Sequence, residues 1–165
     1  MAKAKQTWRS GCPVNVALEI FGDRWSLLVI RDLMVRGYRT FKEFQQAGEG
    51  IATNILAERL KKLEAAGLLE AEAQESDRRR SNYRLTEKGI DLAPVVLELL
   101  FWATRHEKTG ASCAVIDTME KDRKKVLAEA RRRWKVRDAT PLLPPSVIGG
   151  RSRAAFGAGR RGRQD

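Results

Sequence analysis

Residues 53–85 read TNILAERLKKLEAAGLLEAEAQESDRRRSNYRL, and the pattern changes halfway along. Up to about residue 66 the leucines recur at helical spacing. At 100° per residue Leu56, Leu60, Leu63 and Gly67 fall within roughly 60° of one another, so they predict a core-facing stripe. Beyond Gly67 the period drops to two. Residues 69–74 and 81–85 alternate apolar and polar, and between them lie three consecutive arginines, Arg78, Arg79 and Arg80. That is a helix followed by a β-hairpin with a basic tip. Such a ribbon reaches about 15 Å beyond the body at roughly 3.4 Å per residue.

The segments before it extend the pattern. Pro13, favoured in a first helical turn, opens a helix with Val14, Ala17, Leu18 and Phe21 at helical spacing, and Gly22 reads as a left-handed cap. Asp23 is the N-cap of a second helix whose buried stripe is Trp25, Leu28, Val29 and Leu33. Gly37 stops it, and residues 38–39 could form a minor strand. Thr40 caps a short helix over 41–47 that buries Phe41 and Phe44. GEGI, at 48–51, is a turn, and the helix at about 53–66 follows. Two helices joined by a short Gly-containing turn outline a helix-turn-helix, and the hairpin after it makes the order that of a winged helix. The predicted class is mainly α with a small β-hairpin wing, dimeric through its N- and C-terminal helices.

Composition agrees with a polyanionic partner. The 165 residues carry a net charge of +11, of which residues 1–11 hold +3, residues 138–165 +3 and the body +5. A basic body, and not tails alone, suits nucleic acid. No apolar run approaches the roughly 20 residues of a membrane span, and no signal-peptide apolar region follows the N-terminus, so a cytoplasmic protein without membrane contact is expected. Two cysteines, Cys12 and Cys113, and one histidine, His106, make a zinc site or structural disulfide a poor fit. With no phosphate loop or nucleophile–base pair, neither an enzyme nor a cofactor is expected.

On the reading helix, Thr53, Asn54, Ala57, Glu58 and Lys61 face away from the leucines. Asn can bind adenine bidentately and Lys can reach guanine or phosphate. Thr40, Arg59 and Lys62 lie at the flanks, where phosphate contact is expected; for Arg59 the alternative is an ion pair with a neighbouring carboxylate. Arg78, Arg79 and Arg80 are the wing contacts to backbone or minor groove, the alternative being a solubilising loop. Thr86 then caps a helix over about 87–107, apolar on nearly every side and bent at Pro94. A body of about 95 residues is too small to cover it alone, so Leu92, Val96, Leu99, Leu100 and Trp102 are expected to dimerise; the alternative is that the later C-terminal helix does the covering. A further helix over about 117–136 opens with a capping box of Asp117 and Glu120, and its Arg131, Arg132 and Arg133 read as a solvated end, the alternative being contact with DNA. The domain plan is a flexible basic arm at 1–11, a DNA-binding and dimerisation domain at 12–109, an additional helix at 110–137 and a disordered Pro/Gly/Arg-rich tail at 138–165.

Taken together, Cys12-Pro13, Gly22 with Trp25, Thr40-Phe41 with Phe44, the 50–70 segment with its RLKKLE and GLLE, and Y.LTEKG at 83–89 before Pro94 resemble the HxlR-type regulators. These belong to the winged-helix group that includes MarR-like proteins. The resemblance spans about residues 10–108. It implies a homodimer binding a double-stranded operator through paired helices and wings. It also implies that Cys12 could sense oxidants or electrophiles, as the equivalent cysteine does in some members; a helix start and nearby Arg9 would favour its thiolate. A small-molecule effector is a further implied partner. Ala52 stands where the family often has a serine N-cap, which moves capping to Thr53, and Asp23-Arg24-Trp25 replaces a common Gly-Lys-Trp. The competing function is a basic RNA-binding or ribosome-associated protein using its charged tails.

Overall fold

The computed structural model describes residues 7–74, 80–143 and 147. Among the described residues, eight α-helices and one hairpin run in the order α1 (Pro13–Phe21), α2 (Arg24–Arg31), α3 (Phe41–Gln45), α4 (Thr53–Ala65), β1 (Leu69–Ala73), β2 (Ser81–Leu85), α5 (Glu87–Ile90), α6 (Ala93–His106), α7 (Cys113–Lys121) and α8 (Arg123–Lys135). The architecture is the expected one, mainly helical with a two-stranded wing.

The core forms where the leucine pattern placed it. Leu56, Leu60 and Leu63 of α4 are buried against Val29, Ile30 and Leu33 of the second helix, with Phe44 of α3 and Leu68, Leu69 and Leu85 at the hairpin's base. Burying a Leu, Ile or Phe side chain contributes roughly 1.5–3 kcal/mol each, so this face fixes how α4 is presented. In the hairpin Leu69 pairs with Leu85 and Ala73 with Ser81. Thr40 forms an isolated bridge with Asn82, and the Tyr83 amide donates to the Arg39 carbonyl at 2.7 Å. The minor strand expected at 38–39 is thus a single bridge that ties the start of α3 to the wing.

Several boundaries differ from the sequence reading. Gly22 is right-handed (φ −70), not a left-handed cap, and a Cβ there would come within 2.6 Å of the Leu18 carbonyl oxygen. Space, not handedness, asks for glycine. None of α1 is buried, and Val14 and Leu18 are exposed. The second helix does not simply stop at Gly37 but continues through a π-helical turn, Asp32–Arg36, before Gly37 ends it at φ +70.

The helix expected at 87–107 is two helices. The break falls at residues 91–92, and Pro94 lies in the first turn of α6 rather than at a bend. A first-turn proline has no N–H to leave unpaired, so breaking the helix there removes the clash. The helix expected at 117–136 is also two, meeting at Asp122, and Asp117 lies inside α7 instead of opening a capping box. Together α7 and α8 pack on α6. Arg123 of α8 lies over the Phe101 ring, and Val96, Leu97 and Phe101 are all buried in the chain's own core. The expectation that a second subunit must cover α6 on every side is therefore corrected for these positions: Val96 is a core residue, Leu92 and Leu100 are half-buried, and Leu99 and Trp102 stay exposed.

The described part of the expected tail is packed. The Leu142 and Leu143 amides both donate to the Val35 carbonyl, at 2.7 and 3.3 Å, and Leu143 and Val147 are buried. Ala139 closes over Gly37, where a Cβ would lie 1.9 Å from the Ala139 oxygen. Only glycine permits this strap to approach so closely.

Candidate nucleic-acid interface

The reading helix turns an intact polar face outward. Thr53, Asn54, Glu58 and Lys61 are exposed and Ala57 is half-buried, opposite the buried leucines. Ala52 is the N-cap, and no side chain caps the helix. Thr53 is the first helical residue and does not take over that role, which corrects the shifted capping. The register therefore starts one residue earlier than Thr53-capping implied.

Asp23 is the anchor that the sequence only half revealed. As expected it caps α2, accepting from the Ser26 amide at 3.0 Å and the Ser26 hydroxyl at 2.6 Å. It also receives Arg59 Nε at 2.9 Å and Lys62 Nζ at 3.4 Å from α4. Burial alone would raise the Asp23 carboxyl, but the Ser26 bonds, the Arg59 charge and Lys62 outweigh it and hold the pKa at about 2. One carboxylate thus fixes the start of α2 and the flank of the reading helix. Arg59 additionally pairs with Glu58 at 2.6 Å, so of the expected reading residues Thr53, Asn54 and Lys61 carry polar groups with no ion pair to the described residues. The ion pair weighed for Arg59 is present.

Thr40 is the centre of a capping box. Its hydroxyl accepts from the Glu43 amide at 3.3 Å, and Glu43 Oε2 accepts from the Thr40 amide at 2.8 Å and the Arg39 amide at 2.8 Å. Burial would raise the Glu43 carboxyl, yet these bonds hold it below its usual range. In the wing, the Gln74 amide donates to the Arg80 carbonyl at 2.9 Å, and the Gln74 side chain donates to Asn82 at 2.8 Å. Arg80 is exposed at the hairpin end. Arg78 and Arg79 lie outside the described residues.

A buried ionic network behind the turn of the motif escaped the sequence reading. Arg31 Nη1 meets Glu49 at 2.9 Å, Arg31 Nη2 meets Asp32 at 2.7 Å, and Arg36 Nη1 donates to the Ala47 carbonyl at 3.0 Å. Burial raises the Asp32 carboxyl despite its arginine neighbours. The i,i+4 spacing of Asp32 and Arg36 was the available signal. Arg131, Arg132 and Arg133, read as a solvated end, are paired with Asp91, Glu87 and Glu129.

Cys12 is exposed at the N-cap of α1. The amides of Asn15 and then Val14 hold its thiol below the usual value, though the thiol makes no formal capping bond. The expected help from Arg9 is not among these causes; its amide donates to Glu19 at 3.3 Å. Cys113 is exposed at the start of α7. Among the described residues no helix is long and apolar enough to cross a membrane.

Comparison with known proteins fits this geometry. The HxlR-like helix-turn-helix family profile matches residues 20–110. The chain belongs to that family. It is 31% identical over 114 residues to the HTH-type transcriptional regulator YdeP of Bacillus subtilis, covering 69% of this chain and 84% of YdeP. It is 36% identical over 100 residues to YodB of the same organism, also an HTH-type transcriptional regulator, covering 60% and 88%. Among solved structures, PA1607, described as a transcription factor, superposes with a TM-score of 0.56 at 36% identity over 63% of this chain and 71% of its own. The oxidised form of the redox regulator HypR superposes with a TM-score of 0.53 at 29% identity, over 59% of this chain and all of HypR. This HxlR-type protein is accordingly a DNA-binding transcription regulator with a winged helix-turn-helix. The family match ends at residue 110, so α7, α8 and the strap lie beyond it.

Proposed function

We propose that the chain acts as a homodimer that reads a pseudo-palindromic operator, with α4 in the major groove and the wing on the adjacent backbone or minor groove. The observation that carries this is the division of α4: leucines sealed into the core, Asn54 and Lys61 presented to solvent, and Arg59 and Lys62 clamped at the flank by Asp23. Asn54 and Lys61 are assigned to base edges, with Thr53, Ala57 and Glu58 completing the contact face. Thr40, Arg59, Lys62 and the wing arginines Arg78, Arg79 and Arg80 are assigned to phosphates.

Dimerisation is supported by apolar side chains left in water. Val14 and Leu18 on α1, and Val95, Leu99 and Trp102 on α6, are all exposed. Val95, Leu99 and Trp102 line one surface groove of α6, and exposed apolar surface of this kind marks an interaction site. Pairing two copies there would set two α4 helices for half-sites about 34–36 Å, one helical turn, apart. Regulation by oxidants through Cys12 is part of the same reading. Its support is the exposed thiol at a helix start and the likeness to a protein named as a redox regulator.

The test is selection of bound sequences from random duplex DNA by full-length protein, reduced and oxidised, alongside Cys12→Ser. Inverted repeats should be enriched by the reduced protein, and oxidation should change binding in the parent but not in Cys12→Ser. Equal retention of all duplexes would refute the operator reading, and an identical oxidation effect in the variant would refute the role of Cys12.

A further inference from the structure

The wing does not stand alone. Its second strand is backed by α8, which lies outside the family match. Arg84 Nη2 donates to the Trp134 carbonyl at 2.7 Å, and Trp134 Nε1 donates to the Leu85 carbonyl at 2.7 Å. Farther out, Arg137 forks onto Glu72 of β1 at 3.2 Å to each oxygen. Between these contacts lies a crevice of about 370 Å³, walled by the wing, the π-helical turn of the second helix, α8 and the start of the strap. No residue of α4 lines it. That volume falls within the roughly 300–1,000 Å³ of small-molecule sites.

Its lining is cationic and partly aromatic: Arg39, Arg84, Arg133 and Arg137, with Tyr83 and Trp134. The two carboxylates that also line it are engaged. Glu72 holds Arg137, and Asp138 accepts from the Thr140 amide at 2.8 Å. Arg39 is the unusual member. Its guanidinium donates to two carbonyl oxygens, Leu33 at 2.7 Å and Tyr38 at 2.8 Å, and makes no ion pair with the described residues, whereas Arg84 beside it pairs with Glu70 at 3.8 Å. Burial lowers its pKa, Glu43 opposes this, the neighbouring Arg84 charge adds to the lowering, and Asp138 opposes it again. A half-buried cation beside a second cation gains from an anion that joins it. Met34, Ala130 and the Trp134 ring supply an apolar wall next to it.

We propose that this crevice binds a small organic carboxylate, its charged end on Arg39 and its apolar body along Met34, Ala130 and Trp134. The carboxylate would accept the paired N–H bonds that a guanidinium fork offers. A bare inorganic anion would leave the apolar wall unused, which is why an organic body is specified.

The test is equilibrium dialysis of the full chain against radiolabelled benzoate, without DNA, so that its outcome is separate from the operator reading. Saturable uptake of one benzoate per chain is expected, with unlabelled benzyl alcohol failing to compete. Arg39→Gln should weaken uptake by at least about tenfold, the size of one missing charge-assisted bond. Arg137→Glu, an exposed change that leaves the core untouched, should also weaken it and decides the matter if Arg39→Gln does not fold. Non-saturable uptake, or equal uptake by folded Arg39→Gln or by Arg137→Glu, would overturn the proposal. So would competition by benzyl alcohol as strong as by benzoate. If Arg39→Gln weakened DNA binding but left benzoate uptake unchanged, Arg39 would serve the duplex and the proposal would fail.

Discussion

Replacing Asp23 separates the tasks that the structure gives to one carboxylate. Asp23→Ala removes the N-cap of α2, which costs about 1 kcal/mol, and the Arg59 ion pair at 2.9 Å. That pair is partly exposed, so solvent screening limits it to about 1 kcal/mol. The expected total at neutral pH is about 2 kcal/mol. Asp23→Asn keeps a good capping side chain and removes only the charge, so it should cost about half as much. The pH dependence follows from the carboxyl's depression from 3.8 to about 2. A depressed folded pKa means stability that is present above the unfolded value and is lost as pH falls through the folded one. The gap between parent and Asp23→Ala should therefore narrow between about pH 4 and pH 2. Urea unfolding at fixed protein concentration is the assay. With a slope of about 2 kcal/mol/M, the midpoint for Asp23→Ala should fall by about 1 M at about pH 7. An Asp23→Asn midpoint equal to the parent's, or a gap that stays constant down to about pH 2, would show that the charge on Asp23 does not hold α4.

Three further outcomes are expected. Thr40→Val should lower stability by about 1 kcal/mol in thermal unfolding, because the capping box is deprived of its hydroxyl; an unchanged midpoint would mean the box contributes nothing. Leu99→Glu with Trp102→Glu should give a monomer in sedimentation and abolish operator binding, while a persisting dimer would place the interface elsewhere. Changing Arg78, Arg79 and Arg80 to Ala should reduce the salt slope of DNA binding by up to about 0.9 for each phosphate no longer neutralised, and an unaltered slope would remove the wing tip from the interface.

The fold's order was legible because its decisive features are local. The leucine stripe of α4, the period-two arms of the hairpin, and the caps Asp23, Thr40 and Thr86 all rest on neighbours close in sequence, and each is found in place. What was missed depends on distant partners. The breaks at 91–92 and at Asp122 keep apolar residues coming at helical spacing on both sides, so periodicity passes straight through them. The docking of Leu142 and Leu143 on the Val35 carbonyl joins segments far apart in the chain, and nothing in a Pro-rich stretch announces it. At the interface, residue types on the outward face of α4 could be read off. The second partner of Asp23 could not, because its 36-residue separation from Arg59 is bridged only by the packing of α2 on α4.

The buried ionic network gives the second helix a role that its hydrophobic stripe alone would not. On one side this helix borders a groove of about 400 Å³ with Leu99 and Leu100 of α6. On the other, Arg31 and Arg36 hold Glu49 and the Ala47 carbonyl in the turn between α3 and α4. Arg36 is only 3% exposed, and its Nε and Nη2 have no hydrogen-bond partner among the described residues. A guanidinium left so incompletely satisfied is a weak source of stability, since burying an ion pair costs about as much as it returns. It is, however, a strong positional constraint, because removing one partner of a buried pair costs about 3–5 kcal/mol. The turn that leads into α4 is therefore bound to the second helix by charged side chains that tolerate little displacement.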